Sequence, residues 1–162
     1  MYKRILVPID FSETSEEALR YAVKCKAAGT KEIILLHVID PLDISSLGLV
    51  GMQQYEESLK TNLYREAETK LSALREKYTT DEIILKSLVK EGKPFAEIIR
   101  TAIEEEVNII IMGSHGKGIT SEVLLGSTSE KVVRKSPVTV MIVKPEKVKE
   151  KLLKCWKTLG EK

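Results

Sequence analysis

Five short runs of apolar residues recur along the sequence, and each run is continuous rather than alternating. They occupy residues 5–7, 33–36, 83–85, 109–112 and 138–143. A strand with one face in water alternates apolar and polar side chains, whereas a parallel strand that is covered on both faces is apolar throughout. The runs therefore predict five buried parallel strands.

Between the runs, apolar residues recur every three or four positions, which is the spacing of one face of a helix. Ser12 or Thr14 is placed to cap the first helix, and Gly29 to end it. Pro94 opens the third helix, and Gly126 precedes the fourth. The residues predicted to face inward are Ala18, Leu19, Ala22, Val23, Leu59, Leu63, Ala67, Leu71, Leu74, Tyr78, Phe95, Ile98, Ile99, Ala102, Ile103, Val132 and Val133. Alternating strands and helices predict an α/β fold, a three-layer sandwich around a five-stranded parallel sheet.

The charges are divided unevenly along the chain. The whole sequence has 26 Lys and Arg against 24 Asp and Glu, but the part from Lys144 onward has seven lysines and three glutamates. That tail carries +4 and the preceding 143 residues carry −2, which argues against a generally basic nucleic-acid binder. We therefore divide the chain into a domain, residues 1–144, and a basic amphipathic helix or tail, residues 145–162. We expect one stripe of the tail to pack on the body or on a second subunit rather than on a membrane; it consists of Val148, Leu152, Trp156 and Leu159.

The sequence shows no recognisable targeting or membrane-spanning segment. No apolar run reaches the length of about 18 residues that a membrane span needs. Lys3 and Arg4 are followed only by residues 5–9 before Asp10, which is too short for a signal peptide. The two cysteines, Cys25 and Cys155, form no C-x-x-C motif. These features predict a cytoplasmic protein that does not bind a membrane.

Two of the predicted strands lead into chemically unusual segments. In an open parallel sheet, ligands bind beyond the carboxyl ends of the strands, where the strand order reverses. The first strand leads into residues 8–12, and the fourth into a turn with glycines at 113, 116 and 118. A second glycine turn, residues 126–129, opens a helix. Glycines allow tight turns and unpaired helix amides attract anions, so the pair predicts a phosphate cradle. The spacing excludes a P-loop and a dinucleotide-binding motif.

The same segments carry a resemblance to a known family. Residues 3–12 (KRILVPIDFS), 36–38 (LHV) and 111–116 (IMGSHG) look like the universal stress protein family. The spacing G-x2-G-x9-G-[ST], met by Gly113, Gly116, Gly126 and Ser127, resembles its ATP-binding branch. The resemblance covers roughly residues 2–144. It implies the strand order 3-2-1-4-5, ATP with Mg²⁺ or Mn²⁺ between the first and fourth strands, and a homodimer that pairs the last strand, from Val138 to Val143, with its twofold mate.

The resemblance also implies which residues surround the nucleotide. Those that would border adenine and ribose are Pro8, Ile9, Asp10 and, through its backbone, Val38. Those that would line the ribose and phosphates are Met112, Gly113, His115 and Gly116. Those that would hold the phosphate tail are Gly126, Ser127, Thr128 and Ser129. No catalytic residue and no metal ligand is assigned.

Some of these residues have plainer interpretations. Asp10 also suits a helix cap, His115 a hydrogen-bonding role rather than that of a general base, and His37 that of a structural group. Cys25 is predicted to be a small core residue.

The function that we expect is an ATP-binding stress-response or regulatory protein that acts as a dimeric nucleotide-dependent switch with an unknown protein partner. The alternatives are a slow ATPase that needs a partner and an interaction module that binds no nucleotide. RNA binding through the basic tail is a further alternative, and it would show strong salt dependence.

Overall fold

The computed structural model describes residues 2–42, 53–115 and 125–160. Most of the apolar segment 41–52, whose sequence predicts a lid, a contact surface or an extra helical turn, lies outside these residues, as does Gly116. The strands are β1 (Arg4–Pro8), β2 (Glu32–Ile39), β3 (Ile84–Glu91), β4 (Ile109–Gly113) and β5 (Thr139–Val143). They form one parallel sheet in the order β3-β2-β1-β4-β5, so the predicted α/β class and strand order are confirmed.

Among the described residues, five helices of nine residues or more surround the sheet. They are α1 (Glu13–Lys24), α2 (Gln53–Tyr78), α3 (Pro94–Glu104), α4 (Ser127–Lys135) and α5 (Glu146–Gly160). Ser12 is the N-cap of α1, because its hydroxyl oxygen accepts a hydrogen bond from the Ser15 amide at 3.2 Å. A short 3-10 helix, Cys25–Ala28, prolongs α1, and Gly29 ends it in the left-handed conformation with φ of 91°.

The core has two layers, one on each face of the sheet. Ile5 and Val7 of β1 pack with α1 and α2 on one face, while Leu6 packs with α3 and α4 on the other. All three side chains are fully buried, which is why this strand is continuously apolar in sequence. Among the described residues, no helix is both long enough and apolar enough to cross a membrane.

Three predictions about these elements were wrong. Ile103 and Val133 were predicted to face inward, but they are 54% and 46% exposed. Each follows a buried residue, Ala102 or Val132, and one helical step of about 100° carries its side chain off the sheet. The strand predicted at residues 83–85 instead spans Ile84–Glu91. Because β3 lies at the edge of the sheet, it contains lysines, and these interrupt the apolar run.

Glu16 on α1 connects this helix to the end of α2. Its Oε1 accepts hydrogen bonds from Lys77 Nζ at 2.6 Å and from the Tyr78 hydroxyl at 2.8 Å. These bonds lower the pKa of the Glu16 carboxyl below its ordinary value of 4.5. The carboxylate therefore stabilises the fold fully above that value, and its contribution is lost as the pH falls through the lowered pKa.

We expect Tyr78→Phe to lower the free energy of unfolding by about 1.5 kcal/mol near neutral pH, because it removes a hydrogen bond to a charged group. The difference from the wild type should shrink in acid, where Glu16 is protonated and accepts the bond more weakly. Urea unfolding at neutral pH and well below the ordinary glutamate pKa measures both differences. Tyr64→Phe, on the same helix but outside this cluster, is the matched control, and an equal loss for Tyr78→Phe at both pH values would contradict the assignment.

Candidate functional site

The central strands end around a cavity of about 360 Å³. It lies where β1 and β4 are neighbours and the strand order reverses, which is the expected position for a ligand in an open parallel sheet. The family resemblance implies a set of residues around the nucleotide, and all of them that the structure describes line this cavity. They are Pro8, Ile9, Asp10, Val38, Met112, Gly113, His115, Gly126, Ser127, Thr128 and Ser129. The fold thus brings these distant segments to one place.

Residues that the sequence analysis did not assign to the site also line the cavity. They are Ser15, Leu36, His37, Asp40, Pro94 and Ile98. Asp40 directly follows β2, so the rule that was applied to the ends of β1 and β4 would have found it. Pro94 and Ile98 belong to α3, and their position depends on how this helix packs over the sheet. No local sequence pattern encodes that packing.

The turn between β1 and α1 forms one wall of the cavity. Asp10 Oδ1 accepts hydrogen bonds from the Ser12 amide at 3.0 Å and from the Ser12 hydroxyl at 2.5 Å. Ser12 in turn caps α1, so Asp10 orients the capping residue rather than being the cap itself. The turn is therefore held in one shape by its own side chains.

Phe11, inside this turn, has a left-handed backbone with φ of 62°, which is uncommon for a bulky residue. Its ring centroid lies 4.6 Å from that of His37. His37 Nδ1 lies 2.7 Å from the carbonyl oxygen of Ile9, a hydrogen bond that joins β2 to the turn. His37 thus has the structural partner that the sequence analysis expected for it.

The two glycine turns are joined by hydrogen bonds. The Gly126 amide donates to the carbonyl of Ser114 at 2.8 Å, and the Ser129 hydroxyl donates to the carbonyl of Gly113 at 3.0 Å. A Cβ atom at Gly126 would lie 3.1 Å from the Cα of His115, so the two segments touch through their backbones. The start of α4 is therefore fixed against the end of β4.

Gly113 lines the cavity and also has a packing role that the sequence did not suggest. It was expected to let the backbone approach a ligand, but a Cβ there would lie 2.5 Å from Thr14 Cγ2 and 3.0 Å from the Thr14 carbonyl oxygen. The space beside Gly113 is thus filled by α1. This glycine allows the helix to pack closely on the sheet.

We expect Gly113→Ala to lower the free energy of unfolding by about 2 kcal/mol, since it overpacks this contact. The double variant Gly113→Ala/Thr14→Ser removes the clashing methyl group and should recover part of the loss. Chemical denaturation of the nucleotide-free protein measures both. A Gly113→Ala protein as stable as the wild type would show that α1 is not in close contact there.

The first turn of α4 faces the cavity with backbone amides. Its N-cap, Gly126, has no side chain to accept a hydrogen bond from them, whereas α1 is capped by Ser12. The first-turn amides of a helix have no partner within the helix, and the helix dipole is positive at this end. Ser127, Thr128 and Ser129 therefore present amides that suit an anion such as phosphate.

The charged side chains around the cavity are negative, unlike the positive end of the α4 dipole. Among the described residues that line it, the only aspartate, glutamate, lysine or arginine side chains are those of Asp10 and Asp40. His115 Nδ1 lies 2.9 Å from the Ser114 hydroxyl oxygen. In the described part of the chain, no three His, Cys, Asp or Glu side chains form a cluster that holds a metal by themselves. The described residues around the cavity therefore offer an anion backbone amides and neutral side chains.

Comparisons with known proteins give the relatives of this chain. The model of the universal stress protein family matches residues 1–144. Universal stress protein MJ0577 of Methanocaldococcus jannaschii is 41% identical over 155 residues, a match that covers 89% of this chain and 96% of that protein. The solved structure of MJ0577 has a TM-score of 0.81 and covers 90% of this chain and 98% of its own.

Two further matches are more distant. A universal stress protein of Methanothermobacter thermautotrophicus is 30% identical over 89% of this chain and 97% of its own length. A universal stress protein solved in complex with cAMP shares the fold, with 22% identity and a TM-score of 0.55 over 88% of this chain and 97% of that one. The family match spans all the described elements that build the cavity, and the chain belongs to the universal stress protein family.

Proposed function

We propose that this protein is an ATP-binding regulatory protein that acts as a dimeric, nucleotide-dependent switch. The observation that carries the proposal is the first turn of α4, which has no capping side chain and opens on the cavity where the strand order reverses. The G-x2-G-x9-G-[ST] spacing supports assignment to the ATP-binding branch of the family, because Gly126 and Ser127 of that spacing form this turn.

The size and lining of the cavity suit a nucleotide. Its volume of about 360 Å³ lies within the range of roughly 300–1,000 Å³ that is usual for small-molecule sites. Leu36, Val38, Pro94 and Ile98 offer apolar surface for a base, and the α4 amides offer donors for phosphates. The protein of the same fold that was solved with cAMP indicates that this architecture can hold an adenine nucleotide.

We infer that a divalent cation, Mg²⁺ or Mn²⁺, binds together with ATP. The cavity residues that carry charge are the carboxylates Asp10 and Asp40, which would repel a bare polyphosphate. Mg²⁺ prefers oxygen ligands and is usually held by one or two carboxylates together with substrate phosphates. The cation would neutralise phosphate charge and so reduce the repulsion by these two aspartates.

The site favours binding over rapid hydrolysis. Among the described residues around the cavity, no lysine or arginine is placed to stabilise charge on a transferring phosphoryl group. His115 is already engaged by Ser114. We expect turnover in the isolated protein to stay below about one per second, at the low end for enzymes. A partner that supplies a cationic side chain would make the alternative, a slow ATPase, possible.

We further propose that β5 pairs with β5 of a second copy. The opposite edge of the sheet is protected by charge, since Lys86 on β3 binds Glu32 at 2.5 Å and Lys90 binds Glu104 at 2.6 Å. The β5 edge, Thr139–Val143, has no charged side chain, although most of its residues are partly or fully exposed. An uncharged free edge promotes uncontrolled pairing, and a twofold partner would cover it.

Mass spectrometry of the nucleotide released from freshly purified protein tests the proposed ligand. We expect an adenine nucleotide, with ATP as the main species when divalent cation is kept in all buffers. The interaction-module alternative predicts that no nucleotide is released and that added Mg-ATP does not bind. That pair of results in folded protein would overturn the proposal.

A cytoplasmic location stays a prediction from the cysteine pattern.

A further inference from the structure

Helix α5 lies beyond the part of the chain that the family match covers. The match ends at residue 144, and α5 begins at Glu146. The tail from Lys144 onward also carries the basic excess, +4 against −2 for the rest of the chain. None of the described residues that line the cavity belongs to α5. Any role of this helix must therefore follow from its own side chains.

The first turns of α5 pack on the body along one side. Val148 is buried, Leu152 is half-buried, and Lys147 Nζ lies 3.8 Å from a carboxylate oxygen of Glu13 on α1. These contacts place the start of the helix beside α1. They fix the direction in which the remaining faces of α5 point.

The predicted stripe is packed only in part, and the side chain of its last residue, Leu159, lies outside the described residues. Trp156, which was expected to pack together with Val148, is 71% exposed, and Leu153 is 61% exposed. Trp156 lies eight residues after Val148, which turns it about 80° from the packed side. Lys149, Leu153 and Trp156 are spaced by four and three residues, so they share one face of the helix. Leu153 and Trp156 are exposed on it, whereas Lys149 is half-buried and its Nζ lies 2.9 Å from a carboxylate oxygen of Glu146. We call these three residues the outer face of α5.

We propose that the outer face of α5 adsorbs to an anionic lipid membrane. A surface helix that combines exposed leucine and tryptophan with many lysines is typical of helices that lie in the lipid headgroup region. Lysines there are attracted to anionic lipids, and tryptophan prefers this interface. The net charge of the tail, +4 from Lys144 onward, gives the required complementarity.

Other occupants fit the outer face less well. A twofold contact between two copies of α5 would bring together two tails that each carry +4. A nucleic acid backbone would satisfy the lysines but would leave Leu153 without an apolar partner. The sequence-based expectation of no membrane binding rested on the lack of a spanning segment, and adsorption to a surface needs no such segment.

Fluorescence of the full-length protein tests the proposal directly, because Trp156 is the single tryptophan of the chain. We expect its emission to shift to shorter wavelength with vesicles of phosphatidylcholine and phosphatidylglycerol. Vesicles of phosphatidylcholine alone should cause little shift, and high salt should reverse the effect of the anionic vesicles. Co-sedimentation of the protein with the same vesicles gives an independent measure of binding.

A matched pair of variants separates the outer face from net charge. Leu153→Glu should weaken vesicle binding by about tenfold or more, since it removes the apolar anchor and adds a negative charge. Ile84→Glu makes the same charge change at a residue of β3 that is 65% exposed, and it should have a much smaller effect.

Three results would overturn the proposal. The first is an unchanged emission spectrum with anionic vesicles, and the second is equal weakening by the two variants. The third is a shift of the Trp156 emission that occurs without lipid, either when RNA is added or when the protein concentration is raised.

Discussion

Ser127→Pro is expected to weaken the binding of Mg-ATP by about tenfold to a hundredfold without unfolding the protein. Ser127 is the first residue of α4, where proline is tolerated because its missing N–H has no partner within the helix. The preceding Gly126 has φ of −61° and ψ of 150°, an extended conformation that readily precedes proline. The substitution thus removes one backbone donor from the proposed phosphate site and changes little else.

Ser127→Ala is the matched control for this experiment. It removes an exposed hydroxyl but keeps the backbone N–H, so we expect ATP affinity to change by no more than about threefold. Calorimetric titration gives both affinities, and the thermal unfolding midpoint of each nucleotide-free variant checks the fold. If folded Ser127→Pro binds as tightly as the wild type, the phosphates do not depend on the first turn of α4.

Val140→Pro is expected to turn the proposed dimer into a monomer at micromolar concentration. The carbonyl of Val143 accepts a hydrogen bond from the Ser114 amide at 3.0 Å, so the peptide groups of Val143 face β4. Along a strand, the backbone N–H and C=O groups of successive residues point to opposite edges. The N–H of Val140, three residues before Val143, therefore points to the free edge of the sheet. Proline at such an outward position removes an edge donor but leaves the bonds to β4 in place.

By symmetry, both strands of the proposed pair would lose a donor, and we expect the dissociation constant to rise by about a hundredfold. Val140→Ala keeps the N–H and should stay dimeric, which makes it the matched control. Sedimentation at several protein concentrations measures the assembly, and circular dichroism checks the fold. A folded Val140→Pro protein that remains dimeric would place the interface elsewhere on the surface.

The architecture was predictable because its signals are local. Each buried strand is covered on both faces, so it appears in the sequence as a continuous apolar run. Residues such as Pro94 and Gly29 mark helix boundaries through their own backbone preferences. The position of the cavity followed from the strand order, which the family resemblance implied and the structure confirmed.

What the sequence did not reveal depends on packing between distant elements. Gly113 has the appearance of a ligand-binding glycine, yet its space is filled by Thr14 of α1. Ser129 resembles a ligand donor, but its hydroxyl is bound to the carbonyl of Gly113. Trp156 completes an apolar stripe in sequence, but the structure leaves it exposed while Val148 is buried. None of these facts is encoded by a local pattern.

A calorimetric titration of nucleotide-free protein with ATP, with and without Mg²⁺, tests the central claim most directly. We predict saturable binding of one ATP per chain, and weaker binding when the cation is removed, because Asp10 and Asp40 then repel the phosphates. Folded protein that shows neither heat of binding nor a raised thermal midpoint with Mg-ATP would contradict the account.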